Sequence, residues 1–161
     1  MNDLLTVWLL PCVYAFLACV GFCLIFNIHG PGIAICGFGG ALGWLVYLLS
    51  DYLTDSVYIR FALAAVAITL YSEVMARIRR CPVTSYLIIA LLPLVPGSGI
   101  YETMLHCVHG DTHLFLSALV RTFGIAGALA LGAVLGSSFT RIFFPLLTRL
   151  HNKRKGGQAH A

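Results

Sequence analysis

Charge is scarce in this sequence. Of 161 residues only 10% are Asp, Glu, Lys or Arg, while 60% are hydrophobic; a soluble domain carries about 25% charged residues. With a mean hydropathy of +0.92, that scarcity excludes an ordinary soluble domain and makes the chain an integral membrane protein. A basic nucleic-acid footprint is missing too. The formal charge of +4 comes largely from two short runs, Arg77/Arg79/Arg80 and Arg149/Lys153/Arg154/Lys155. Both flank apolar segments, which is where topology signals lie. No Lys or Arg precedes the first apolar run, so Phe16-Leu17-Ala18-Cys19, although similar to a lipoprotein cleavage box, is not expected to end a cleaved signal peptide. The six cysteines (Cys12, Cys19, Cys23, Cys36, Cys81, Cys107) fall mostly inside apolar runs, where a thiol behaves as a small hydrophobe, so no disulfide framework is read from them. No H-E-x-x-H, G-x-S-x-G or acid-rich phosphate motif is present, and neither a cofactor nor enzymatic activity is expected.

What the chain does have is long apolar segments. The expected fold is all-α, an integral membrane bundle of five helices at about 4–26, 33–50, 58–76, 83–108 and 113–144, the fourth broken at a Pro/Gly motif. Residues 1–148 form the membrane domain, and 149–161 read as a disordered basic tail. The fourth segment carries the anomaly. From Val83 to Val95 there are only thirteen residues, roughly 20 Å of helix, before Pro93, Pro96, Gly97, Ser98 and Gly99 interrupt it. A hydrocarbon core is about 30 Å thick, so the break lies inside the membrane. Irregular backbone at that depth must be surrounded by protein or line a water-filled cavity, and in transporters such breaks hold substrate.

Small residues mark the expected helix contacts. Gly39 and Gly43 form G-x-x-x-G beside Cys36 and Gly40, and Gly124, Ala128, Gly132 and Gly136 recur every four residues as a ridge along one helix face. Trp44 and Tyr47 read as residues of the outer interface. The basic residues set the orientation: Asp3, the 51–57 loop and the 106–112 loop lack Lys and Arg, so the N-terminus is expected outside and the C-terminus in the cytoplasm. The break then falls in the outer half of the membrane.

Ionisable groups within spans are costly and often functional. Arg121, about two turns into the last span, suits a carboxylate through forked hydrogen bonds, or snorkels to headgroups. Glu73 is a proton-coupling candidate, or the i+4 partner of Arg77. Glu102 is read as a first-turn carboxylate at a helix N-terminus capped by Ser98 or Gly99, or as an acceptor for an ammonium group. Free N–H groups at that N-terminus suit anions, with Tyr101 and Ser98 offering hydroxyls. Pro96, Gly97, Ser98, Gly99, Tyr101, Glu102 and Arg121 therefore make up the expected substrate path. Asn27 reads as a helix C-cap or a pore amide. His106, His109, His113 and Cys107 have spacing compatible with a metal, but no metalloenzyme motif accompanies them, and exposed interfacial histidines fit as well.

Three features together, Phe26-Asn27 after the first span, Arg79-Arg80-x-Pro82 before the fourth, and Pro93–Met104 (PLVPGSGIYETM), resemble the threonine/serine exporter (ThrE) family. Length and span count resemble its small YjjB-like half, with the likeness covering roughly residues 15–145. The resemblance implies a cytoplasmic-membrane exporter of threonine and serine, or of a small dicarboxylate such as succinate, driven by the proton gradient. It also implies a separate YjjP-like membrane subunit and an oligomeric assembly. The alternative is a membrane scaffold that stabilises a partner through the glycine ridges without transporting anything itself.

Overall fold

The computed structural model describes the backbone of residues 8–156 and the side chains of residues 8–142. Every regular element among the described residues is helical: α1 (Leu10–Ile25), α2 (Gly32–Ser50), α3 (Val57–Arg79), α4 (Val83–Leu91) with a tight turn Leu92–Leu94, α5 (Gly97–His109) and α6 (Thr112–Gly156). α2, α3 and the Thr112–Ile142 part of α6 are each long and apolar enough to cross a membrane, and α4 with α5 passes the same test as one bent span. α1 has 16 residues, or roughly 24 Å, and positions 4–7 of the expected first span lie outside the described residues. Pro11 lies in the first turn of α1, after a π-helical stretch at Trp8-Leu9, a position at which proline is tolerated.

The last helix departs from expectation. α6 passes the boundary expected at 148 and continues to Gly156, because no glycine interrupts Arg149–Lys155 and Arg, Leu and Lys are good helix formers. The rest of the expected tail, 157–161, lies outside the described residues.

Three helices end in the same way. At the end of α1, Asn27 adopts φ 56°, its N–H donates to Leu24 O (3.3 Å) and that of Ile28 donates to Cys23 O (2.9 Å). This pair of reversed bonds closes the orphan carbonyls of the last turn, so Asn27 is a cap. Arg80 (φ 53°) and Gly110 (φ 78°) repeat the arrangement, with Cys81 N–H donating to Ala76 O (3.0 Å) and Asp111 N–H to His106 O (3.2 Å).

α2 is the hub, and its glycines face different neighbours. A side chain at Gly40 would collide with Cys19 of α1, and one at Gly37 with Phe16; at Gly39 it would meet Ala90 of α4 and Tyr71 of α3, and at Gly43 Ile68 of α3. Tyr71 OH donates to Ile35 O (3.1 Å) and Cys19 Sγ–H to Ile89 O (3.3 Å), tying the helices where backbones approach. α6 lies along α3, its most extensive partner. A Cβ at Gly124 would strike Tyr58, at Gly132 the Ala62 carbonyl, and at Gly136 Thr69, while Ala128 between them is buried. Two apolar clusters result, one of Ala64, Ala65, Ile68, Ala90, Leu94, Ile125 and Leu129, the other around Cys19, Cys23, Cys36 and Tyr86. Elsewhere large apolar side chains face outward, Val108 at 86% and Leu53 at 80% exposure among them, as lipid rather than water requires.

Candidate functional site

The break is built from proline chemistry. Pro93 opens the tight turn after α4. Pro96 then excludes helical geometry at Val95, which is extended (φ −61°, ψ 131°). α5 resumes at Gly97, bent 55° from the segment before it. Its first N–H to reach back a full turn is that of Ile100, donating to Pro96 O (3.1 Å); those of Ser98 and Gly99 lie ahead of the helical ladder, where no carbonyl stands behind them. α5 packs chiefly on α6 and has a single buried residue, Thr103. That contact is close at Gly99, where a Cβ would collide with Thr122, whereas nothing lies within 4 Å of one at Gly97.

Below this bend is an open-sided cavity of about 520 Å³, within the range of about 300–1,000 Å³ typical of small-molecule sites. Four sides enclose it: Trp44 and Tyr47 of α2, Val57 and Phe61 of α3, the break with Glu102 and His106 of α5, and Leu114 to Ile125 of α6, including Arg121. The aromatic wall is continuous, with Trp44 edge-on to Tyr47 (centroids 5.2 Å) and Tyr47 against Phe61 (4.8 Å). Hydroxyls on the α6 side are committed to their own helix, Thr122 Oγ donating to Ala118 O (2.8 Å) and Ser117 Oγ to Leu114 O (2.9 Å).

Among the substrate-path residues expected from sequence, Pro96, Gly97, Ser98, Gly99, Glu102 and Arg121 line this cavity. Tyr101 does not; it is 66% exposed and outside the lining. Two details differ from expectation. Pro96 precedes the helix where Ser98 or Gly99 was expected as cap, and Glu102 sits beyond the first turn of α5, because Pro96 lets the helix begin at Gly97. Trp44 and Tyr47 read from sequence as interfacial residues rather than site residues, and Phe61 carried no signal of its own. His106 was read as a member of a possible metal set or as an interfacial histidine, not as a cavity residue.

Charge is distributed unevenly. Arg60 pairs with Asp51, and its Nε donates to Thr54 O (2.9 Å). Glu73 is buried toward the far end of α3, with Arg77 Nη2 at 3.4 Å, away from the cavity lining. The side chains of Arg121, Glu102 and His106 instead have no hydrogen-bond or ion-pair partner among the described residues. His106, His109, His113 and Cys107 do not converge: no group of three or more His, Cys, Asp or Glu suited to a metal occurs among the described residues. His109 Nδ1 instead lies 2.8 Å from Leu105 O of its own helix.

An unpartnered cation beside a helix break, in a cavity within an apolar bundle, is an arrangement suited to a small charged solute. Comparison with known proteins agrees in kind. A family model described as Threonine/Serine exporter, ThrE, matches residues 11–139, a stretch that takes in the break, the aromatic wall and Arg121. No curated protein and no solved structure matches the chain. The chain is a membrane protein that belongs to the threonine/serine exporter family, a family of transporters.

Proposed function

We propose that this chain is one subunit of a cytoplasmic-membrane exporter of small amino acids, threonine and serine, or of a small dicarboxylate such as succinate, coupled to the proton gradient. It works with a YjjP-like membrane subunit in an oligomer, with its N-terminus outside and its C-terminus in the cytoplasm. The observation that carries this reading is the cavity that joins the broken span to Arg121. A guanidinium on one wall of such a cavity binds a carboxylate through forked hydrogen bonds. The early N–H groups of α5 add donors on the opposite side. Glu102 offers an acceptor for the ammonium group of an amino acid; a dicarboxylate would not use it. The basic residues Arg77, Arg79 and Arg80 close α3 at the end away from this cavity, which supports a cavity on the outer side.

Export of threonine, serine and succinate from cells lacking their own exporters, with and without the partner subunit, tests this directly. Efflux that requires both chains and is lost in Arg121→Ala supports the reading. Undiminished efflux in Arg121→Ala, with partner assembly lost only in variants of the Gly39/Gly43 or Gly124/Gly136 ridges, overturns it in favour of the scaffold.

A further inference from the structure

Proton coupling needs a group that gains and loses a proton where it alters solute binding. Glu73 lies away from the cavity beside Arg77. His106 lines it, half-buried, in the last turn of α5. Histidine is the side chain whose charge ordinarily changes between about pH 5 and 8.

We propose that His106 is the proton-binding residue of the cavity and that its charge sets the solute class the cavity favours, a zwitterion when it is neutral and an anion when it is protonated. The inference rests on the cavity being the solute site. The titratable or charged side chains that line the cavity with His106 are Tyr47 of α2, Glu102 of α5 and Arg121 of α6; α3 and the break contribute none. With a neutral imidazole, Arg121 and Glu102 balance, leaving one positive and one negative pole, the charge pattern that complements an amino acid. With an imidazolium the cavity carries a net positive charge, and a second carboxylate gains a partner.

Glu102 stands one turn away at i−4 on the same helix, and Arg121 lines the same cavity from α6. The other histidines of this region are placed differently: His109 and His113 are exposed and outside the lining.

The chain provides its own reporter. It has two tryptophans; Trp44 lines the cavity and Trp8 stacks on Tyr52 away from it. In the full-length Trp8→Phe protein in nanodiscs, Trp44 emission should pass through one transition between about pH 5 and 8. Adding His106→Gln should abolish the transition, whereas adding His109→Gln or His113→Gln should leave it. His106→Asn, with helix content followed by circular dichroism, separates loss of the titrating group from loss of fold.

Solute is then added at pH 6 and pH 8. Succinate should bind about three- to tenfold more tightly at the lower pH, the effect of one added charge at a partly hydrated site. Serine affinity should change less than twofold, and His106→Gln should remove the succinate difference. A transition that survives both His106 substitutions overturns the proposal even if both solutes bind normally. A His106-dependent transition with no response to either solute keeps the proton site but overturns its role in solute selection and the cavity reading beneath it.

Discussion

The two faces of α6 that meet other helices have opposite surroundings. Toward α3 it presents Gly124, Ala128, Gly132 and Gly136, and the glycines leave no space for a methyl group against Tyr58, the Ala62 carbonyl and Thr69. Toward α5, about a turn before Gly124, Arg121 faces an open cavity, with Gly99 against Thr122 as the point of close contact. The difference comes from the partner. α3 is a continuous helix, so a flat ridge can lie along it for many turns, whereas α4 and α5 diverge by 55° at the break and cannot both follow α6. Tight packing along one face holds the helix still; the bend on the other supplies room and unpaired N–H groups.

Five substitutions would break or sharpen this contrast. Gly132→Val should have the largest effect, because its Cβ meets a backbone carbonyl that cannot rotate away. We expect a cost at or beyond the upper end of the roughly 1–3 kcal/mol seen for overpacking, visible as loss of a monodisperse peak in detergent. If Gly132→Val purifies with wild-type thermal stability, the seam is looser than its geometry indicates. Arg121→Ala should leave stability unchanged within about 0.5 kcal/mol yet reduce solute affinity by about 1.5–3 kcal/mol, the range for hydrogen bonds to charged groups. That corresponds to roughly ten- to a hundredfold, measured by isothermal titration.

Gly99→Ala should destabilise by about 1–2 kcal/mol through Thr122, with transport falling only as far as folded protein falls. Gly97→Leu is its counterpart in open space: wild-type thermal stability but severalfold lower efflux per folded molecule. Equal behaviour of these two variants would mean that cavity and contact are not separable. The smallest effect is expected at Arg80, a non-glycine residue in left-handed backbone that costs about 1–2 kcal/mol there. Arg80→Gly should raise stability by at most about 1 kcal/mol, offset by the greater chain entropy of glycine, as a small upward shift in the melting temperature.

Much of the fold was legible because membrane helices leave strong local traces. The second, third and fourth spans lie within a few residues of their expected bounds, since a bilayer demands long apolar runs and Gly30-Pro31 and Cys81-Pro82 punctuate them. Glycine spacing identified the faces of α2 and α6 that approach other backbones, although not which helix each glycine meets. The cavity was only half legible. Pro96 and Gly97 announce a break and Arg121 stands out as a charge in an apolar helix, yet nothing local distinguishes Trp44 from an interfacial anchor or Phe61 from any other apolar residue of its span. Nothing local sets His106 apart from His109 on the same helix or from His113 on α6; of the three only His106 lines the cavity.

By itself the sequence determined that this protein lives in a membrane, that its fourth span cannot be straight, and which residues are small enough for close helix contact. These follow from composition, from the missing N–H of proline and from side-chain size, none of which depends on neighbours distant in the chain. Only the tertiary structure decided that the break, Arg121, His106 and the aromatic wall share one cavity while Glu73 lies apart beside Arg77. Proximity across five helices depends on how α2 seats its neighbours and on the angle at Pro96, and no single segment carries either.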